Sequence, residues 1–119
     1  MLKYNTLYQS LKKVSAEWHA GHVECAYSWN YVKFYEDGTI IYCSSRGEAR
    51  DLTWFSKNNE EAVIYKGIFH FDNFKLNAEI PMAIGILKID GVINDQYLIL
   101  RTSNENMNSF ENWDEYTPI

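Results

Sequence analysis

Phe74-Lys75-Leu76-Asn77-Ala78-Glu79-Ile80 alternates apolar with polar side chains without a break. Only an extended strand sorts such a pattern into one dry and one wet face, because successive side chains leave a strand on opposite sides. Pro81 closes the run, having no N–H to give to a ladder. A hairpin adds a second constraint. The aromatic run Tyr27 to Tyr35 meets Glu36-Asp37-Gly38, and Thr39 to Ser45 follows with Ile40, Ile41 and Tyr42. An Asp-Gly between two such runs supplies the left-handed backbone that a tight hairpin turn requires.

Other segments follow the same logic. Within Glu61 to Phe71, Val63, Tyr65, Gly67, Phe69 and Phe71 share one face, and Ile64, Lys66, Ile68 and His70 the other. Asp72-Asn73 is expected to turn. Met82 to Ile89 is apolar on both faces, Asp90-Gly91 reads as a turn, and Gln96 to Thr102 as a strand with Leu98 and Leu100 opposite Tyr97, Ile99 and Arg101. Two segments leave alternatives open. Asn5 to Val14 carries Leu7, Leu11 and Val14 at helical spacing, which fits a short N-terminal helix or an irregular entry. Gly47 to Lys57 fits a short helix or a loop leading into a strand that begins at Leu52. Ser103 to Ser109 reads as a polar loop, after which Phe110, Trp113 and Tyr116 return to cover apolar surface. The whole, residues 1–119, describes one mainly β domain: an antiparallel meander that closes into a barrel or folds as a sandwich. Closure is expected, since it removes the exposed edges of so apolar a sheet.

Charge and composition narrow the partners. With 119 residues the chain can bury one core. Aromatics make up 16% of it, a surplus that suits pleated surfaces. A formal net charge of −5 repels a phosphate backbone, and no run of Lys or Arg offsets it, so no nucleic-acid partner is expected. Apolar stretches such as Pro81 to Leu87 are far short of a membrane span, and Met1 to Asn5 lacks the apolar core of a signal peptide. A cytoplasmic chain with no membrane partner is expected, its two cysteines, Cys25 and Cys43, present as thiols.

The run Asn30 to Tyr42, with its Phe34-Tyr35-Glu36-Asp37-Gly38 hairpin, followed by Trp54-Phe55 and Tyr65-Lys66-Gly67-Ile68-Phe69, resembles the lipocalin-like (calycin) repertoire. It is similar to the small lipocalin-like domains associated with F-box proteins, and the resemblance covers residues 27 to 103. The Gly-x-Trp opening usual in lipocalins is not matched: Glu17-Trp18 has the Trp without the Gly two residues before it. The resemblance implies a small lipocalin-like meander barrel whose interior is filled with side chains or holds a small apolar ligand. Fatty-acid-binding relatives hold a carboxylate with an Arg and a Tyr near the end of the barrel, a role the resemblance would give to Arg101 and Tyr97.

Chemistry-bearing clusters are few. His19, His22 and Cys25 have the three-residue spacing that lets a turn gather zinc ligands. Gly21 disfavours a helix there, a strand would alternate the three, and no second Cys/His pair follows, so a surface loop with one buried Cys is the expectation and no metal is assigned. Cys43, Ser44, Ser45 and His70 lack the nucleophile elbow a triad needs. Acid pairs such as Glu48 with Asp51, or Glu60 with Glu61, read as solvated surface. Tyr27, Trp29, Tyr31 and Tyr35 lie on one strand face, as a ligand wall, a stacking platform or packing of the barrel.

Three function classes follow. First is a barrel binding a small apolar or amphipathic molecule, with Trp29, Tyr31, Tyr65, Phe69, Tyr97 and Arg101 as its contacts, no cofactor and no catalysis. Second is a protein-interaction module with a filled core, displaying Phe110, Trp113 and Tyr116 to a protein partner or a second copy. Third, and least supported, is an enzyme using the barrel mouth, for instance through His70 near Asp72 or Glu79.

Overall fold

The computed structural model describes residues 2–17, 23–45, 53–59, 64–83, 85–93, 98–104 and 113–119, and the side chains of all of these except 12–17, 23–28, 45 and 104. Among them eight strands form a closed antiparallel barrel in sequence order. They are β1 (Leu7–Glu17), β2 (Val23–Phe34), β3 (Thr39–Ser45), β4 (Tyr65–Asp72), β5 (Lys75–Pro81), β6 (Ile86–Ile93), β7 (Leu98–Asn104) and β8 (Asp114–Pro118). Closure comes from β8, which pairs with β7 from Leu98↔Tyr116 to Leu100↔Asp114 and with β1 at Tyr8↔Pro118 and Gln9↔Thr117.

The alternation in β5 behaves as its sequence demands. Leu76, Ala78 and Ile80 are buried, and Lys75, Asn77, Glu79 and Pro81 face water. The inner faces of the other strands add Val32, Phe34, Ile40, Phe69, Ile89, Leu98, Leu100 and Tyr116 to one continuous core. Each such side chain, fully buried, contributes roughly 1.5–3 kcal/mol of transfer free energy.

A second core lies outside the barrel wall. The outward side chains Tyr31, Tyr35, Ile41 and Cys43 of the β2–β3 hairpin are buried with Phe55 and Ile64, and Leu7, Trp29 and Trp54 pack against them. Residues 53–59 cross this face as a strap. The Lys57 amide donates to the Tyr35 hydroxyl at 3.1 Å, while its ammonium meets Asp37 at 2.6 Å and lies 4.9 Å from the Tyr35 ring centre. The Lys57 hydrogen bond, then those from Thr39, lower the Asp37 carboxyl to about 2. Strap and hairpin turn are thereby clasped together. The turn itself forms at Asp37-Gly38, Gly38 having φ 90° and the Thr39 amide donating to Asp37 Oδ1 at 3.0 Å.

Three segments differ from expectation. Residues 2–6 are irregular, and Leu7 onward is extended rather than helical: the eleven-pair ladder from Leu7↔Lys33 to Glu17↔Val23 outweighs the weak helical spacing of Leu7, Leu11 and Val14. Asp90-Gly91 does not turn but runs through the middle of β6. A Cβ on Gly91 would stand 2.6 Å from Leu100 Cδ2 and 3.2 Å from Leu76, so this glycine makes room for two core leucines. The β4–β5 turn is Asn73-Phe74, both left-handed at φ 49° and 67°, with Asp72 paired to Lys75. Phe74 is therefore an exposed turn residue instead of the first inward side chain of β5. The helix-or-loop question over 47–57 is settled only for 53–59, which form turns and bends; 46–52 lie outside the described residues.

The β1–β2 pair outruns its neighbours. β8 reaches only to Gln9 on one side, and β3 only to Trp29 on the other. Beyond those points the two strands pair with each other as a ribbon, and the molecule measures 49 × 31 × 29 Å.

Candidate functional site

The two ends of the barrel are chemically unlike. At one end the strands are joined through 35–38, 73–74 and 94–97, and the first residues of the chain lie across the opening. Leu2 joins the inner core there, Tyr4 lies 6.4 Å from the Phe69 ring, the Lys3 amide donates to the Tyr8 hydroxyl at 3.0 Å, and the Asn5 amide donates to the Phe34 carbonyl at 2.8 Å. Phe34 sits edge-on to both Tyr8, at 6.0 Å, and Phe69, at 5.1 Å. These rings and the leucines around Gly91 fill the section of the barrel they occupy.

At the other end the inner face turns polar. Ser10, Asn30 and Ser44 are neighbours across β1, β2 and β3, and Tyr42 pairs directly with Tyr65 across β3 and β4. The Tyr42 hydroxyl donates to Asn30 Oδ1 at 3.3 Å. Asp114 shares the inward side of β8 with Tyr116, because the two are separated by one residue. Ser10 and Asn30 are buried, whereas Tyr42, Tyr65 and Asp114 are half-buried and Ser44 is exposed. Every buried side-chain nitrogen and oxygen among the described residues has a hydrogen-bond partner. The half-buried groups are the ones a ligand would meet.

Burial keeps two phenols of this end protonated. Burial, with smaller contributions from Cys43, Asp114 and Tyr65, pushes the Tyr42 phenol up to about 12, against a weaker opposing hydrogen bond with Ser44. Burial, then Tyr42, Asp114 and Cys43, raises Tyr116 well above the ordinary phenol value. Both remain protonated at neutral pH and serve as hydrogen-bonding hydroxyls rather than bases. Cys43, raised to about 11 by burial in the outer core, stays a thiol and so a poor nucleophile.

The residues that the sequence pointed to are divided among several places. Tyr65 and Phe69 face the interior, Tyr65 beside Tyr42 and Phe69 in the apolar section. Trp29 and Tyr31 face outward into the second core, where Tyr31 is fully buried 6.5 Å from Phe55. Arg101 is on the outer surface of β7, with Nη2 3.2 Å from Asp90 and its guanidinium 4.9 Å from the centre of the Trp113 ring. It braces the start of β8 against β6 and β7. Tyr97, His19 and His22 lie outside the described residues, as does the side chain of Cys25. Among the described residues, no three His, Cys, Asp or Glu side chains gather as metal ligands.

Asn30, Tyr42 and Asp114 were not singled out from the sequence as site residues, and Tyr116, expected in an exposed patch with Phe110 and Trp113, is buried in the inner core, while Trp113 is exposed and Phe110 lies outside the described residues. Strand parity groups Asn30 with Val32 and Phe34, and Tyr42 with Ile40, but Tyr31 and Ile41 are just as apolar. The strap buries the outer parity too, so both faces of the hairpin are apolar and dry. Outside the barrel, a groove of about 380 Å³ runs across β4, β5 and β6, lined by Lys66, Gly67, Ile68, Glu79, Pro81 and Ile86. Comparison with known protein families, curated proteins and solved structures finds no match for this chain.

Proposed function

We propose that this barrel binds a small amphipathic molecule at its polar end, in the manner of a lipocalin-like binding protein. The observation that carries the reading is the asymmetry of the interior: half-buried Tyr42, Tyr65 and Asp114 beside buried Asn30 and Ser10, above an apolar section closed by Phe34, Phe69 and Tyr8. Few convergent polar groups over an apolar floor are what a small-molecule site requires, and an eight-stranded barrel can hold one small ligand. Connections 18–22, 46–64, 82–85 and 105–113 all adjoin strand ends on this side, and loops on a rigid frame are the usual carriers of binding. In this reading Tyr65 contacts ligand and Phe69 supports the floor. Trp29 and Tyr31 hold the outer core, and Arg101 braces β8.

A second reading, an interaction module, draws support from the outer groove, where Ile68 is 64% exposed and Ile86 44%. Native mass spectrometry of the protein purified from its own host, before and after denaturing extraction, separates the two. A stoichiometric small molecule retained by the native chain and lost from a Tyr65→Phe variant supports binding at the polar end. A bare chain in every preparation shifts the assignment to the groove.

A further inference from the structure

The outer face of β4, β5 and β6 carries a patch that is complementary to itself. Ile68 pairs with Glu79, and from that pair Lys66 and Pro81 each lie two residues along their antiparallel strands in the same direction. Lys66, Ile68, Glu79 and Pro81 therefore mark four corners, with the two charges on one diagonal and the two apolar side chains on the other. All four line the groove of about 380 Å³, and Ile86, paired with Pro81, extends its apolar side. A Cβ on Gly67 would collide with the Glu79 carbonyl oxygen and the Ile80 backbone, so this glycine lets β4 and β5 approach closely enough to set Lys66 and Glu79 in one groove.

The patch is unusual for this chain in two ways. Ile68 and Ile86 are exposed together beside Pro81, and no described side chain holds Lys66 or Glu79 in an ion pair. The chain as a whole carries a net charge of −5, which keeps copies apart, yet on the outer face of these three strands Lys66, Lys75 and Lys88 balance Asp72, Glu79 and Asp90. A second copy approaching through this face meets opposite charges at close range and no net repulsion from the face itself.

We infer that two copies of this chain pack groove against groove about a two-fold axis lying along the Ile68–Pro81 diagonal. Such an axis carries Lys66 over Glu79 of the second copy, and Glu79 over its Lys66, while Ile68 and Pro81 meet their own counterparts. The outer groove thereby gains a partner, independently of any ligand inside the barrel. Ile68, Pro81, Ile86 and one pair of charges per copy fall short of the roughly 800 Å² a side of a standard interface, so the dimer is a weak one that forms as concentration rises.

Analytical ultracentrifugation of the full chain from about 5 µM to about 1 mM, at moderate salt, tests this, and the wild-type chain is expected to pass from monomer to dimer within that range. Lys66→Glu and Glu79→Lys each set like charges together at both symmetry-related contacts and are expected to weaken the dimer at least about tenfold. An equimolar mixture of the two variants, each first shown by circular dichroism to keep the wild-type β signal, restores opposite charges at every contact. It is expected to recover the dimer that neither variant forms alone. A wild-type chain that stays monomeric throughout, a dimer unmoved by either reversal, or variants that their mixture does not rescue would overturn the inference. None of these outcomes alters the case for a ligand at the polar end, which native mass spectrometry tests separately.

Discussion

The two ends of this barrel divide stability from chemistry. At the closed end, short turns, three interlocked rings and an N-terminal segment laid across the opening leave a packed apolar section. At the polar end the same strands carry Ser10, Asn30, Tyr42, Tyr65, Asp114 and Tyr116 inward, and most of the longer connections adjoin them. Both ends are built on one hydrogen-bonded wall, so the difference lies in the side chains and in the segments that join the strands. A packed closed end allows the polar end to carry hydrogen-bonding groups at positions that backbone pairing already sets.

That division is open to challenge by mutation, and the largest effect belongs to the closed end. Phe34→Ala removes a fully buried ring from between Tyr8 and Phe69 and is expected to cost about 3–5 kcal/mol in urea unfolding. Ser44→Ala, which removes a hydrogen bond with the Tyr42 hydroxyl that also bonds Asn30, is expected to cost about 1 kcal/mol or less. Comparable losses at the two sites would erase the distinction.

An intermediate effect is expected from alkali, and it arises at the polar end. The Tyr42 phenol ionises near 10 when unfolded and is pushed up to about 12 when folded. Between these values the unfolded chain binds fewer protons, so stability is intact below pH 10 and falls as pH rises toward 12. The loss is on the order of 2–3 kcal/mol for this one group. Unfolding curves across that window should show it, and Tyr42→Phe should flatten the dependence; an unchanged slope in the variant would place the alkaline sensitivity elsewhere.

The smallest effect sharpens the picture of the closed end. Phe74 holds φ 67° at an exposed turn, a conformation that a residue with a Cβ adopts at a cost of roughly 1–2 kcal/mol. Phe74→Gly is expected to raise the thermal midpoint, corresponding to about 1 kcal/mol. A lower midpoint would mean that the exposed ring stabilises the turn by more than its backbone strain.

Much of the barrel was legible in residue order, and the reasons are local. The β5 alternation, the Asp37-Gly38 hairpin, the inward side of β4 and the two separate faces of β7 all follow from a side-chain period of two and from turn chemistry. Residues at the edges of that logic were harder. Gly91 reads as a turn residue because glycine usually marks one, yet here it answers to Leu76 and Leu100, which come from other strands. The helical spacing in 7–14 yields to pairing with β2, an interaction between segments that no local window contains.

The candidate site was less legible for the same reason. Tyr65 was found because its strand has one clearly favoured face. Trp29 and Tyr31 were grouped with it because aromatic residues on any strand look like barrel lining, and Arg101 because the resemblance to fatty-acid-binding barrels would make it a carboxylate anchor. Parity correctly separates Arg101 from Leu98 and Leu100, but it does not say which set points inward.

Sequence alone determined the β class, the meander and the pairing faces, because these depend on neighbours one or two residues apart. Tertiary structure decided which face of the β2–β3 hairpin lines the barrel, which end is closed, and that Asp114 takes an inward position while Arg101 takes an outward one. Those outcomes depend on where the strap at 53–59 and the last strand come to rest, and contacts between distant segments leave no periodic trace in the chain.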